Sequence, residues 1–150
     1  LSVKSPQEAL AFIRSLPERP GSPDTWFQLA LCLRESGELI GDLGIHFLDD
    51  HGQAGIGYTL DPGRQGQGYA REAVDALLAY LFEDLEFHRV TASIDPENTK
   101  SLALVRNLGM RQEARFVKNV WNGTGWEDEC IYALLQEEWR TRSEGPRACT

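Results

Sequence analysis

Residues 60–85 constrain the fold more than any other part of the chain. An apolar run ends at Leu60, and the stretch LDPGRQGQGYAREA then brings three glycines and four charged residues before a long amphipathic segment. In that segment apolar residues recur at helical spacing from Ala70 to Leu85. Glycines without side chains leave the backbone accessible to a ligand, and the helix start behind them offers unpaired N–H groups and the positive end of the helix dipole. The stretch therefore predicts a cradle for an anion.

The remaining residues predict a mixed sheet with helices on its faces. Ser5-Pro6-Gln7-Glu8 is a capping box with proline at the first helical position, so we expect a helix to begin there. Apolar patterns separated by turns predict strands over 26–34, 38–48, 54–60 and 88–95, a helix over 96–110 that ends at Gly109, a hairpin of 113–121 with 126–134, and a flexible tail over 141–150. This order predicts an α/β fold with a mostly antiparallel sheet, in one domain over residues 1–150.

Composition restricts the partners. The 150 residues carry a formal net charge of −8, which argues against nucleic acid and favours cationic acceptors such as amines. The three cysteines, Cys32, Cys130 and Cys149, have no metal-ligand spacing, and this is typical of a reducing compartment. No apolar run approaches the roughly 20 residues that span a bilayer, and no signal peptide is recognisable. We therefore expect a cytoplasmic protein without a membrane partner.

Three kinds of phosphate loop compete for the glycine-rich stretch. A P-loop needs a lysine that this stretch does not contain. A dinucleotide fingerprint built on Gly66 and Gly68 would place Arg71 where a small residue must pack against the strand. The pattern Q/R-x-x-G-x-G/A, by contrast, is matched at every position by residues 65–70. This pattern resembles the pyrophosphate-binding motif of the GNAT superfamily of N-acetyltransferases.

Further motifs extend the resemblance over roughly residues 26 to 139. The segment NTKSLALVRNLGM resembles the second motif helix of that superfamily, and IGYTLDPGRQGQGYAREA, HRVTASIDPENTKS and ECIYALLQEEW together resemble its RimJ/RimL branch. The resemblance implies the GNAT fold and an enzyme that uses acetyl-CoA, without a metal, to acetylate a primary amine by direct attack in a ternary complex. The amine would belong to a protein N-terminus or to a small molecule.

The resemblance also implies which residues bind acetyl-CoA. The strand that contains Tyr58 would diverge from the strand that begins at His88, and the backbone N–H of Leu60 would hydrogen-bond the thioester carbonyl. Arg64 and Arg71 would add positive charge or lie as solvated surface, and Asn98 also suits a helix cap. The full set implied for the cofactor is Tyr58, Thr59, Leu60, Gln65, Gly66, Gln67, Gly68, Tyr69, Ala70, Asn98 and Ser101.

The proton-transfer residues depart from the family pattern. Val105 stands where many relatives carry a tyrosine acid, and the strand QAGIGYTL lacks a glutamate that many relatives carry. Ser101 or a water molecule is left as the acid for the thiolate. His46 is the first candidate base, with Asp42 and Asp128 as further candidates, although an α-amine of pKa about 8 is partly neutral without a base.

Several alternatives stay open on the sequence alone. The missing tyrosine and glutamate are also compatible with a non-catalytic acyl-CoA-binding or regulatory module on the same fold. Trp26, Trp121 and Trp126 would line an acceptor cleft or pack at strand ends. RimJ/RimL-like chains usually carry a strand and a helix ahead of the segment that matches residues 1–16, so an N-terminally short domain is expected. A homodimer is the default assembly.

Overall fold

The computed structural model describes residues 5, 7, 11, 14, 15, 21–49 and 51–143. Within the first expected helix, residues 7, 11, 14 and 15 are helical, and the rest of that helix lies outside the described residues. The expected tail lies outside them from residue 144 onward.

Six strands and three helices follow in chain order. The strands are β1 (Thr25–Cys32), β2 (Leu39–Phe47), β3 (Gln53–Leu60), β4 (Arg89–Ile94), β5 (Arg111–Trp121) and β6 (Trp126–Leu135). The helices are α1 (Tyr69–Ala79), α2 (Thr99–Asn107) and α3 (Gln136–Ser143). A short 3₁₀ turn (Pro62–Arg64) precedes α1, and a π-helical turn (Tyr80–Asp84) extends it. The predicted strands and the two motif helices are therefore present, with ends that differ by a few residues.

The strands form one sheet in the order β1-β2-β3-β4-β6-β5. All neighbours are antiparallel except β3 and β4, which are parallel because α1 carries the chain back to the start of β4. This arrangement confirms the predicted mixed, mostly antiparallel sheet. It also places a parallel pair at the centre, directly beside the glycine-rich loop.

The core lies on one face of the sheet. Ile45 pairs with Ile56, Ile56 pairs with Ala92 and Ala92 pairs with Tyr132, so their side chains point to the same side. The apolar stripes of the helices cover that side, where Val74, Leu78 and Val105 are completely buried. The opposite face carries mostly small and polar side chains along β1 to β4, with the exposed Trp26 among them. One face of the sheet therefore carries the hydrophobic core, and the other face does not contribute to that core.

Helix α3 is the element that the sequence pattern did not predict. Its sequence QEEWRTRS has no apolar stripe, and three of its residues fall in the segment expected to be a flexible tail. Trp139 is its main apolar contact with the core: it is 4% exposed, stacks on Phe82 and donates a hydrogen bond from Nε1 to Glu83 at 2.8 Å. Polar contacts of Gln136, Glu138 and Arg142 with other elements also hold the helix, so tertiary contacts stabilise it without any helical periodicity.

Candidate active site at the fork between two parallel strands

Strands β3 and β4 separate part-way along their length. They pair only from Gln53 to Ile56 on β3 and from Arg89 to Ala92 on β4. Beyond that point β3 continues to Leu60 beside β2, and β4 continues beside β6. The two parallel strands thus form a fork whose inner edges pair with no strand among the described residues. The divergence that the family resemblance implied is present in the backbone.

A cavity of about 310 Å³ fills the fork. Neighbouring residues of a strand point to opposite faces of a sheet, and both Tyr58 and Thr59 line this cavity. Its wall therefore includes residues from both faces of the sheet. Its walls are Trp26, Gln28, Asp42, Gly44, Ile56, Gly57, Tyr58, Thr59, Ser93, Ile94, Asp95, Asn98 and Ser101.

The backbone of β3 directs donors into the fork. Asp61 donates its N–H to the carbonyl of Ile40 on β2 at 2.8 Å. Because backbone groups alternate between the two sides of an antiparallel pair, the N–H groups of Leu60 and Tyr58 point away from β2. They therefore face the side where β4 has moved away. The Leu60 N–H has the orientation that a donor to a carbonyl in the fork requires.

The glycine-rich loop leaves a run of backbone donors unused. Gly66 and Gly68 have φ values of +75° and +88°, a left-handed conformation that glycine adopts without strain. Gly68 is the N-cap residue of α1. Within the described part of the chain, the N–H groups from Gly66 to Arg71 have no hydrogen-bond partner. The N–H of Gln65, which the sequence analysis included in the cradle, donates instead to the carbonyl of Pro62 at 3.4 Å.

The start of α2 meets this loop in space. Asn98 caps α2, because its Oδ1 accepts the N–H of Ser101 at 3.0 Å, and so the capping role considered for Asn98 is realised. Lys100 donates from Nζ to Oε1 of Gln65 at 3.0 Å. Two helix N-termini and one ammonium group thus lie side by side, an arrangement suited to anionic groups. The sequence analysis missed Lys100, which no motif position singled out.

The two arginines considered for the same anion differ in their surroundings. Arg64 donates to both carboxylate oxygens of Glu38 at 2.7 Å, so its charge is already balanced. Arg71 is exposed and has no ion-pair partner among the residues described. The positive charge beside the loop therefore comes from Lys100 and Arg71.

Tyr58 brings a hydroxyl group to the fork. Its ring packs against the core, and its Oη is buried without a hydrogen bond of normal geometry to any described residue. Burial raises the pKa of Tyr58 above its ordinary value of 10, and the nearby Ser101 hydroxyl lowers that pKa in part. Tyr58 is therefore a protonated phenol at neutral pH, with a hydrogen still to donate.

The polar face of the sheet forms the second mouth of the cavity. The side chains of Trp26 and Gln28 lie over Gly44, where an added Cβ would come within 3.1 Å of the indole ring and 2.9 Å of the amide. Gly57 faces open space, so its missing side chain keeps the cavity clear. Asp42 lines this mouth and has no ion-pair partner in the part of the chain that the structure describes.

The three candidate bases lie in different places. Of these, Asp42 alone lines the cavity. His46 stacks on Trp26 with centroids 4.8 Å apart, and its Nε2 lies 3.1 Å from Asp24. Asp128 accepts hydrogen bonds from the backbone N–H of Lys118 and from the guanidinium of Arg115. Both hydrogen bonds lower the pKa of Asp128, and the one from Lys118 has the larger effect. His46 and Asp128 are thus not wall residues of the cavity.

The three tryptophans are likewise divided. Trp26 lines the cavity, whereas Trp121 and Trp126 contact each other edge-to-face at the end of the β5–β6 hairpin, with ring centroids 5.5 Å apart.

The described residues contain no cluster of three or more metal-ligating side chains. Among those same residues, no helix combines the length and apolarity needed to cross a membrane.

The comparisons with known proteins agree with this geometry. The family model of the acetyltransferase (GNAT) domain matches residues 2–111, which include the fork, the glycine-rich loop and both motif helices. The chain belongs to the GNAT acetyltransferase family. As a member of this family, it is an acetyltransferase. The resemblance drawn from the motifs is confirmed.

Two proteins illustrate the similarity. An uncharacterised N-acetyltransferase of Bacillus subtilis, YnaD, is 34% identical over 138 residues, which cover 91% of this chain and 78% of that protein. A GNAT-family acetyltransferase from Bacillus anthracis superposes with a TM-score of 0.70 at 35% identity, over 74% of this chain and 67% of that one. These matches confirm the fold that was predicted from the sequence.

More distant relatives have different acceptors in their names. A spermidine N(1)-acetyltransferase of Vibrio cholerae is 28% identical over 63% of this chain and 54% of its own. An alanine N-acetyltransferase of ribosomal protein uS5 from Escherichia coli is 29% identical over 56% of this chain and 43% of its own. This chain thus spans about half the length of these two enzymes.

Proposed function

We propose that this protein transfers the acetyl group of acetyl-CoA to a primary amine by direct attack within a ternary complex. The observation that carries the proposal is the fork between β3 and β4, because residues of both faces of the sheet line its cavity. A thioester entering from one face can there meet an amine entering from the other. Such alignment of two reactants supplies much of the rate enhancement in acyl transfer.

The glycine-rich loop and the start of α2 would hold the cofactor. The unpaired N–H groups that begin at Gly66 fit a pyrophosphate, with Gln67, Tyr69 and Ala70 contributing backbone contacts. Lys100 adds charge beside Gln65. The unpaired edge of β3 from Tyr58 to Leu60 fits an extended chain with amide groups, such as pantetheine, in the place of a neighbouring strand.

The fork would also activate the thioester. The N–H of Leu60 points into the gap and would hydrogen-bond the acetyl oxygen as negative charge develops on it. The amine would approach from the polar face, past Trp26 and Asp42, and would lose its proton to water or to the Asp42 carboxylate. His46 would act at most through Trp26, on which it stacks.

The acceptor mouth favours a cationic amine. Asp42 and Asp95 line the cavity, and none of its wall residues is a lysine, arginine or histidine. A positively charged acceptor would be attracted by these carboxylates and by the net charge of −8. The names of the distant relatives, one for a polyamine and one for a ribosomal protein, support a basic acceptor of either kind.

The test combines turnover with binding on the same preparation. Thiol release from acetyl-CoA would be followed with spermidine, a peptide with an N-terminal alanine, and a neutral monoamine as acceptors. We expect release with at least one of the cationic acceptors and CoA binding by calorimetry. Binding without release from any acceptor would support the non-catalytic acyl-CoA module instead. The absence of both would overturn the proposal.

A further inference from the structure

The hydroxyl group of Tyr58 is buried, and no described residue pairs with it in normal hydrogen-bond geometry. A buried donor without a partner lowers the stability of the fold, and native proteins usually pair such groups. Phenylalanine would pack equally well against the same core, and it would not carry the unpaired oxygen. The hydroxyl therefore points to a partner that enters the cavity from outside.

The position of Tyr58 restricts what that partner is. The residue lies beyond Ile56, the last β3 residue paired to β4, and it lines the cavity wall on the side of the sheet that carries the core. Ser101, on the first turn of α2, lines the same wall. Since the phenol is protonated at neutral pH, it can donate a hydrogen bond to an acceptor that enters the cavity. Two atoms of a thioester gain electrons in an acyl transfer, the acetyl oxygen and the leaving sulfur. The N–H of Leu60 would serve the oxygen, so the sulfur is the atom left for the phenol.

We propose that Tyr58 is a catalytic residue that donates its proton to the leaving sulfur. This proposal rests on the proposed function. The nitrogen lone pair of the amine forms the new C–N bond, the C–S bond breaks, and the sulfur takes that electron pair together with the phenol proton. The amine nitrogen loses one proton to water, and water returns one to the phenol oxygen through the hydroxyl of Ser101. The net movement is one proton from nitrogen to sulfur.

The alternative sources of this proton are weaker. Val105, where many relatives carry a tyrosine, has no proton to give and is completely buried. Ser101 is an alcohol, which is a far weaker acid than a phenol of ordinary pKa about 10. Tyr58 thus supplies from strand β3 a group that many relatives supply from a helix, and Ser101 relays the proton.

The substitution Tyr58→Phe tests the proposal, because it removes the hydroxyl and keeps the ring. We expect kcat to fall 10- to 100-fold with the amine that the parent protein acetylates fastest, spermidine or the alanine peptide. The KM for acetyl-CoA should change less than twofold, and the thermal midpoint should stay equal or rise. Tyr80→Phe, a matched change at a 39% exposed site on the far part of the long helix, should retain parental kcat.

A second readout does not depend on turnover. Calorimetry would compare CoA with desulfo-CoA, which lacks the sulfur atom. We expect the parent and Tyr80→Phe to prefer CoA by threefold or more, and Tyr58→Phe to lose this preference. A parental kcat in Tyr58→Phe would overturn the assignment while leaving the proposed function in place. A raised KM with unchanged kcat would also overturn it, because the hydroxyl would then serve binding alone. Failure of the parent protein to acetylate any amine would overturn both proposals.

Discussion

Gly68 is the residue whose backbone geometry matters most to the proposed anion site. It caps α1 with a φ of +88°, and an added Cβ would meet nothing within 4 Å. A β-branched side chain is strained at this φ, although it clashes with no neighbour. The position therefore requires glycine for conformation and for access to the N–H groups, and not for packing.

We expect Gly68→Val to weaken CoA binding at least tenfold, about 1.4 kcal/mol, while the fold is retained. The strained backbone would turn the free N–H groups away from the phosphates. Gly63→Ala is the matched control: Gly63 has an ordinary φ, and its added Cβ would touch Oδ1 of Asp61 at 3.1 Å. Calorimetry would measure the CoA affinity of both variants, and the thermal midpoint would show whether each retains the fold. If Gly68→Val bound CoA as tightly as the parent protein, the proposal that this loop binds the pyrophosphate would be wrong.

Lys100 and Arg64 allow a sharper comparison of charge beside the same loop. Lys100 hydrogen-bonds an uncharged amide of Gln65, so its charge remains free to attract a phosphate. Arg64 is paired with Glu38. We expect Lys100→Gln to weaken CoA binding roughly threefold to tenfold, an effect that added salt reduces.

We expect Arg64→Gln to change CoA affinity less than Lys100→Gln does. Affinities at low and high ionic strength test both substitutions. A larger loss from Arg64→Gln would show that the pair with Glu38 opens when the cofactor binds.

At the scale of whole elements, one ion-pair network joins β4, β5 and α3. Glu113 accepts hydrogen bonds from Arg89 and Arg111, and Arg111 also pairs with Glu138 on α3. The pKa of Glu113 is lowered from 4.5 to about 2, mainly because of the hydrogen bond from Arg89. The hydrogen bond from Arg111 contributes further to this lowering. This network fastens the edge strand and the C-terminal helix to the centre of the sheet.

The network predicts how stability depends on pH. Because the pKa of Glu113 is lower in the folded state, its stabilisation is complete above about pH 4.5 and is lost as the pH falls toward 2. We expect Glu113→Gln to lower the urea midpoint at pH 7 and to flatten its decline between pH 4.5 and 2.

Glu35→Gln, in the exposed turn after β1, serves as the control for Glu113→Gln and should follow the parent at every pH. An unchanged acid slope in Glu113→Gln would contradict the assignment of the lowered pKa to this network.

At the scale of the whole molecule, cofactor binding should stabilise the fold. The proposed site joins β3, the glycine-rich loop and α2, so a ligand there would bind the folded state alone. At about 100 times its Kd, CoA should raise the free energy of unfolding by roughly 2.7 kcal/mol. Thermal unfolding with increasing CoA measures this shift. A midpoint that does not move at any CoA concentration would mean that the loop holds no such anion.

Local features of this protein followed from the sequence because they depend on neighbours along the chain. The helix behind the glycine-rich loop has a 3.6-residue pattern, Asn98 caps the helix that starts after it, and Gly109 ends that helix with a φ of +82°. Each of these features is set by propensities and hydrogen bonds within a few residues. The family motif added the expectation that this anion is a pyrophosphate, because the residues of the motif are also close in sequence.

Tertiary structure alone decided which distant residues meet. The fork arises because β3 keeps its pairing with β2 while β4 keeps its pairing with β6, and no local pattern encodes where two such strands part. The same holds for Lys100 beside Gln65 and for the unpaired hydroxyl of Tyr58 near Ser101. Helix α3 shows the limit most directly, since burial of Trp139 and the ion pair of Glu138 with Arg111 stabilise a helix in a segment without periodicity. Strand register and packing are properties of the whole sheet, and they determine the chemistry that this site can perform.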